Sequence, residues 1–296
     1  MGARDPILSV VVPTKGRPRY LEGCLAALAA ADCAPDRFEV VVVNDGGDPE
    51  VNRTVSSYTG RLPVELATLR ASGPSAARNA GAAAARGRYI AFTDDDCRPT
   101  PEWVPELERA LERNPGAAVG GEMRNGVPQS RAAASQIVAD VVRAHFNRDP
   151  ELPRFFASSN LAFPAEPFRE LGGFDEEFRY AEDREMCERW ISSGHRFVHA
   201  PEALVYHMRT LTLRDFLGQH YGYGRGASAF HRARAAGPQR GADLAAMLRD
   251  LARETLRRDG ERARAAIAGY VALSQLATAA GFGREAAAAQ LQRRRA

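Results

Sequence analysis

An α/β fold is what this 296-residue sequence predicts, with a mostly parallel central sheet, helices on both faces and a C-terminal helical extension. Three observations carry that reading. Short β-branched runs alternate with apolar runs at helical spacing through the first half of the chain. Polar clusters follow three of the strand runs, at the carboxyl ends where ligands bind in such sheets. After about residue 210 the pattern turns helical and rich in Arg and Ala.

The elements follow in order. ILSVVVPT is a strand ended by Pro13, and YLEGCLAALAAA is the helix after it. FEVVVVNDGG is a second buried strand, closed by Asn44, Asp45 and two glycines. VNRTVSSYTG reads as a helix to Gly60, VELATLRA as a third strand, and SAARNAGAAAARG as a helix stopped by Gly87. RYIAFTDDD is the fourth strand. PEWVPELERALERNP, residues 101–115, is expected to be a helix and AAVGGEM a strand, with a less regular region from about 125 to 155. A short strand, a helix starting near Pro164, a Gly172–Gly173 turn, an acidic helix over 182–193 and a strand near 196–206 complete the pattern. Turns are expected near Gly237 and Gly260. The nearest approach to a membrane span, AAIAGYVALSQLATAAGF at residues 265–282, reads as a packed helix because it is mostly Ala and Gly.

Composition excludes several classes. The apolar fraction of 45% supports a sizeable core, and a net charge of +3 is too small to imply nucleic-acid binding by itself. Cys24, Cys33, Cys97 and Cys187 are scattered and form no metal-ligand spacing, which points to a reducing cytoplasm. The opening MGARDPILSV does not read as a signal peptide, since its apolar run is short and enters a strand pattern directly.

Asp94, Asp95 and Asp96 stand together at the end of the fourth strand. Carboxylates that close repel unless a positive charge sits among them. A helix N-cap would account for one of them. Three are better explained by a hard divalent cation, Mg2+ or Mn2+, which prefers oxygen ligands and keeps phosphate and water in its shell. The aspartates alone do not separate a phosphotransferase from a sugar transferase.

The companion motifs narrow the choice. SVVVPTKGRP, VVVNDGG, GPSAARNAGAAAARGRYIAFTDDDCRP, LGGFDEEFRYAEDREMCERW and VYH, in that order over about residues 7–207, resemble the family 2 glycosyltransferases. That resemblance implies the GT-A fold, a Rossmann-like α/β/α sandwich, and inverting transfer from a nucleotide-sugar, with Mn2+ or Mg2+ as cofactor. It also implies a division into a catalytic domain over 1–210 and a helical region over 211–296. The catalytic domain would hold a nucleotide-sugar half to about residue 100 and an acceptor half beyond it.

Carried onto this sequence, the resemblance assigns Asp96 to the metal and Asp94 to the ribose or a metal-bound water. Asp95, in the variable position, is grouped with the donor contacts. Asp45 would accept a hydrogen bond from N3 of uracil, so a UDP-sugar is the expected donor; as a turn residue it would stand there anyway. Pro13 and Thr14 would wrap the base, with Arg17 nearby and Arg78 close to the base or diphosphate. Asp183 is implied as the catalytic base, beside Glu182. Gly172 and Gly173 would approach the sugar, and His207 would reach the metal or diphosphate. Trp190, two turns beyond Asp183, is either core or a sugar platform, and is grouped with the sugar and acceptor contacts.

The C-terminal helices offer two further expectations: peripheral association at the inner face of a membrane, or a homodimer contact. Tyr221, Tyr223 and Arg225 are candidates to close over the donor or line the acceptor cleft, and Gly222, Gly224 and Gly226 suggest a hinge or close packing. Two rival classes remain, a nucleotidyltransferase making nucleotide-sugars and a non-catalytic module on the same fold. The acceptor is not legible.

Overall fold

The computed structural model describes residues 6–233, 240–257 and 261–293; the turns expected near Gly237 and Gly260 lie outside these. An eight-stranded sheet runs in the order β3-β2-β1-β4-β7-β6-β8-β5. Its parallel half is β1 (Leu8–Thr14), β2 (Phe38–Asp45), β3 (Val64–Leu69) and β4 (Tyr89–Thr93). β1 and β2 are buried along their whole length, as strands covered on both faces must be, and this is why they read as unbroken valine runs.

Inward alternation explains the two cores. Leu8, Val10, Val12, Val40 and Val42 face one way and join Leu21, Leu25 and Leu28 of α1 (Pro18–Ala29), Val51 of α2 (Pro49–Ser56) and Leu107 of α4 (Trp103–Arg113). The opposite face receives α3 (Pro74–Ala84), pressed so close that a Cβ at Gly81 would lie 2.3 Å from Val11 Cγ1. Phe92, Phe163, Phe168 and Phe174 pack together on one another as an aromatic cluster.

Beyond β4 the sheet is mixed. β7 (Asn160–Pro164) runs antiparallel to both β4 and β6 (Ala118–Asn125), while β8 (Phe197–His207) is parallel to β6. A short strand that the sequence did not suggest, β5 (Cys97–Pro99), pairs antiparallel with β8 and aligns Cys97 with His207. The parallel pattern expected from the first half therefore does not extend through the second, where the chain enters the sheet without helical crossovers of the same kind. α6 (Ala165–Glu170) and α7 (Glu182–Ser192) flank the Gly172–Gly173 turn.

The chain divides into two compact units. The first comprises Met1–Gly126, Asp149–Glu177 and Asp183–Met208 and holds the sheet. The second comprises Val127–Arg148, Phe178–Glu182 and Arg209–Ala296. It contains α5 (Ser130–Phe146), α8 (Leu213–Ala233), α9 (Arg240–Leu256) and α10 (Glu261–Arg293). α5 corrects the expectation of an irregular stretch from 125 to 155. Its inward residues Ala134, Ile137, Val138 and Val141 do recur at helical spacing, but flanking alanines blur the contrast between faces that periodicity depends on. They share a core with Phe216, Leu251, Ile267 and Val271. Gly222, Gly224 and Gly226 of α8 serve close packing rather than a hinge: a Cβ at Gly224 would meet Thr278 O at 1.9 Å.

Candidate active site

The parallel half of the sheet brings the polar clusters to one rim. β1 lies between β2 and β4, so Pro13 and Thr14 end beside Val43 and Asn44 on one side, and β4 delivers Asp94–Asp96 on the other. The Thr14 hydroxyl donates to Asp95 Oδ2 at 2.6 Å. Arg17, just beyond β1, donates through Nε to Asp95 at 3.0 Å and through its terminal nitrogen to Asp96 at 2.8 Å. Asp95 is fully buried, and burial pushes its carboxyl up to about 7 against the opposing pull of Arg17. Burial also works against the charge on Arg17, but Asp96, Asp95 and Asp94 together more than offset it. The chain thus supplies a cation of its own to the aspartate cluster, in addition to the metal that the sequence suggests.

Pairing of β5 with β8 places His207 Nε2 3.3 Å from Asp96 Oδ1. Met208 N–H donates to the Asp96 carbonyl at 2.8 Å, which fixes the backbone of that contact. Among the described residues no three His, Cys, Asp or Glu side chains form a ready-made metal centre. Asp94 accepts from the buried Arg78 at 2.9 Å, and Arg78 also lies 5.7 Å above the Phe174 ring.

Asp45 sits at the end of β2 and anchors the loop before α3. Its oxygens accept from the backbone N–H of Ser72 at 2.5 Å and of Gly73 at 3.1 Å, and Lys15 Nζ lies 3.8 Å away. Each carboxylate oxygen has a second lone pair, so this anchoring leaves acceptor capacity.

Asp183 lies in the first turn of α7, half-buried, after Glu182, with Oδ1 accepting from Arg184 N–H at 2.7 Å. Burial raises its pKa, while Arg184, Arg78 and the amides of Arg184 and Ser158 pull it back. Arg78 therefore acts electrostatically on Asp94 at the strand tip and on Asp183 as well.

Gly172 and Gly173 both take positive φ, 82° and 69°, where glycine is at ease. Two residues that motif reading passed over hold this turn. Asn79 accepts from Phe174 N–H at 2.8 Å and donates to Phe174 O at 2.8 Å. Arg189 donates to Leu171 O at 2.5 Å and Gly173 O at 2.7 Å, and its guanidinium grips Glu185 on the same helix. Both residues stand inside quoted motifs, SAARNAG and EDREMCERW, and only the folded loop shows what they bind. Arg189→Ala strands two carbonyls and one carboxylate, so a loss of about 2 kcal/mol is expected in urea unfolding. Arg189→Lys should not rescue it, because one ammonium cannot reproduce the planar fork.

Trp190 is corrected from a sugar contact to a core residue. It is fully buried, stacks on His195 at 4.2 Å between ring centroids, and donates from Nε1 to Arg196 O at 3.0 Å. Arg225 pairs with Glu285 at 2.9 Å within the helical unit.

A family model described as Glycosyl transferase family 2 matches residues 9–171. Validoxylamine A glucosyltransferase from Streptomyces hygroscopicus subsp. limoneus is 31% identical over 221 residues, covering 64% of this chain and 49% of that protein. The chain spans about half the length of the curated relatives it matches. Among solved structures, the mannosyltransferase PcManGT from Pyrobaculum calidifontis, in complex with GDP-Man and Mn2+, superposes with a TM-score of 0.66 at 19% identity. That match covers 97% of this chain and 88% of the other. S. aureus TarS 1-349 in complex with UDP-GlcNAc gives 0.55 at 17% identity, over 96% and 92% of the two chains. At these identities the likeness carries the GT-A fold.

Proposed function

The chain belongs to glycosyl transferase family 2, and we propose that it is a metal-dependent inverting transferase moving a sugar from a nucleotide-sugar to an acceptor hydroxyl. The observation that supports this most is the strand-tip cluster, in which Asp94 and Asp96 lie against Arg78, Arg17 and His207, with Arg78 also acting on Asp183.

The residues fit a hard divalent ion. Asp96 and His207 offer an oxygen and a nitrogen donor 3.3 Å apart, and two protein ligands are what a Mg2+ or Mn2+ needs when phosphates and water complete its shell. Asp96 and His207 would hold the metal, with Asp94 on the ribose or a bound water. When bound, the ion supplies neutralisation of charge on the departing diphosphate. Asp183 takes the proton from the acceptor hydroxyl on the face opposite the leaving nucleotide. Arg78 holds Asp94 by a hydrogen bond and favours the charged form of Asp183, and Asn79 and Arg189 keep the Gly172–Gly173 turn in place for the sugar. In this reading residues 1–210 do the chemistry, residues 211–296 form a helical accessory region, and the enzyme works on the cytoplasmic side.

A UDP-sugar is the proposed donor. The solved relatives were captured with GDP-Man and with UDP-GlcNAc, and uracil N3–H and guanine N1–H would both suit an Asp45 acceptor. A thermal-shift screen of UDP- and GDP-sugars with Mn2+ separates them: UDP-sugars at 100 times their Kd should add about 2.7 kcal/mol of stability. A response to GDP-sugars alone would overturn the UDP assignment, and no response to any nucleotide-sugar would overturn the donor class.

A further inference from the structure

α10 is apolar on the side that faces solvent. A helix half-exposed to water ordinarily carries charge on its outer face. Here Ile267, Val271 and Ser274 turn inward, and the outer stripe runs from Ala266 through Gly269, Leu273, Leu276 and Ala280 to Leu291. Leu276 is 68% exposed and Leu291 57%. The stripe spans about 38 Å at 1.5 Å per residue, and Arg284 is its one charge among the described residues. Leu273, Leu276 and Ala277 continue into an open apolar groove completed by Leu217, Gly218 and Tyr221 of α8. Arg214, exposed one turn before Leu217 and Gly218, extends that side of the groove.

Charge identifies the occupant. Residues 209–296 hold sixteen arginines against seven aspartates and glutamates, a net charge of +9, whereas residues 1–208 carry −6. A second copy would bring two strongly cationic regions together. An anionic lipid surface answers both features, taking the apolar stripe into its outer layer and the exposed Arg214 and Arg284 against its headgroups. The segment Ala263–Leu291 is long and apolar enough to cross a bilayer, with a mean hydropathy of 1.4 over its most apolar 18 residues. Crossing would strip Ile267 and Val271 from the core they share with α5, α8 and α9.

We propose that the α8–α10 face docks flat on an anionic bilayer, holding the protein at the surface without spanning it. This deepens the localisation side of the proposed function and needs no sugar donor to test, so either reading can fail without the other. Co-sedimentation of the full chain with vesicles of phosphatidylcholine and phosphatidylglycerol in equal parts should show binding. Binding should be at least about tenfold weaker to phosphatidylcholine alone and should fall with salt. The double variant Leu273→Asp/Leu276→Asp should lose binding by at least about tenfold while keeping its circular dichroism, because both leucines lie outside the core. Equal binding by that variant, or no preference for phosphatidylglycerol, overturns the proposal. So does a wild-type dimer that the double variant dissolves, which would make a second copy the occupant. Resistance to alkaline carbonate extraction overturns it in favour of a span.

Discussion

Asp96→Ala is expected to lower kcat/KM by roughly a thousandfold, about 4 kcal/mol, and to remove the Mn2+ dependence of UDP binding. The expectation comes from what Asp96 joins. Its carboxylate faces His207 at 3.3 Å and accepts from Arg17 at 2.8 Å, so it lies between the proposed metal site and a cation supplied by the chain. Without it His207 loses the Asp96 carboxylate, and Arg17 is left with Asp95 as its hydrogen-bonded carboxylate. Titration calorimetry of UDP with and without Mn2+ reads the binding half, and initial rates at sub-saturating donor read the other. UDP binding that stays metal-dependent in the variant would refute the role of Asp96, whatever happens to the rate.

Asp183→Asn tests the other end of the site. The substitution keeps the shape and the oxygen that accepts from Arg184 N–H, but removes the ability to take a proton. Transfer should fall by about 10²–10⁴-fold, with UDP affinity within about twofold of wild type. The pH profile adds an independent reading. Asp183 works as a base only when ionised, and burial raises its pKa. The rate should therefore fall as pH drops through a value above the ordinary aspartate pKa of about 3.9. That acid limb should vanish from the residual activity of Asp183→Asn. Arg78 favours the carboxylate form, so Arg78→Ala should move the limb to higher pH. Unchanged activity in Asp183→Asn would end the assignment of the base.

Legibility followed the range of the interactions. β1 and β2 were plain because continuous burial writes unbroken valine runs, and Asp45 and Asp94–Asp96 were plain because they stand at the ends of the apolar runs of β2 and β4. α5 was not, since its alanines mark no polar face. Trp190 was ambiguous because a helical spacing gives direction but not depth, and the core lies where a sugar was considered.

The sequence by itself determined the alternating elements, the family and the residue types assembled at the rim, because strand burial, helix period and motif order are local patterns. Only the tertiary structure decided which of those residues meet. His207 reaches Asp96 because β5 pairs with β8 across more than a hundred residues of chain, and Arg17 reaches the aspartates because β1 lies beside β4. Asn79 and Arg189 found their turn in the same way. Contacts between distant segments depend on how strands are ordered in the sheet, and side-chain periodicity carries no record of that order.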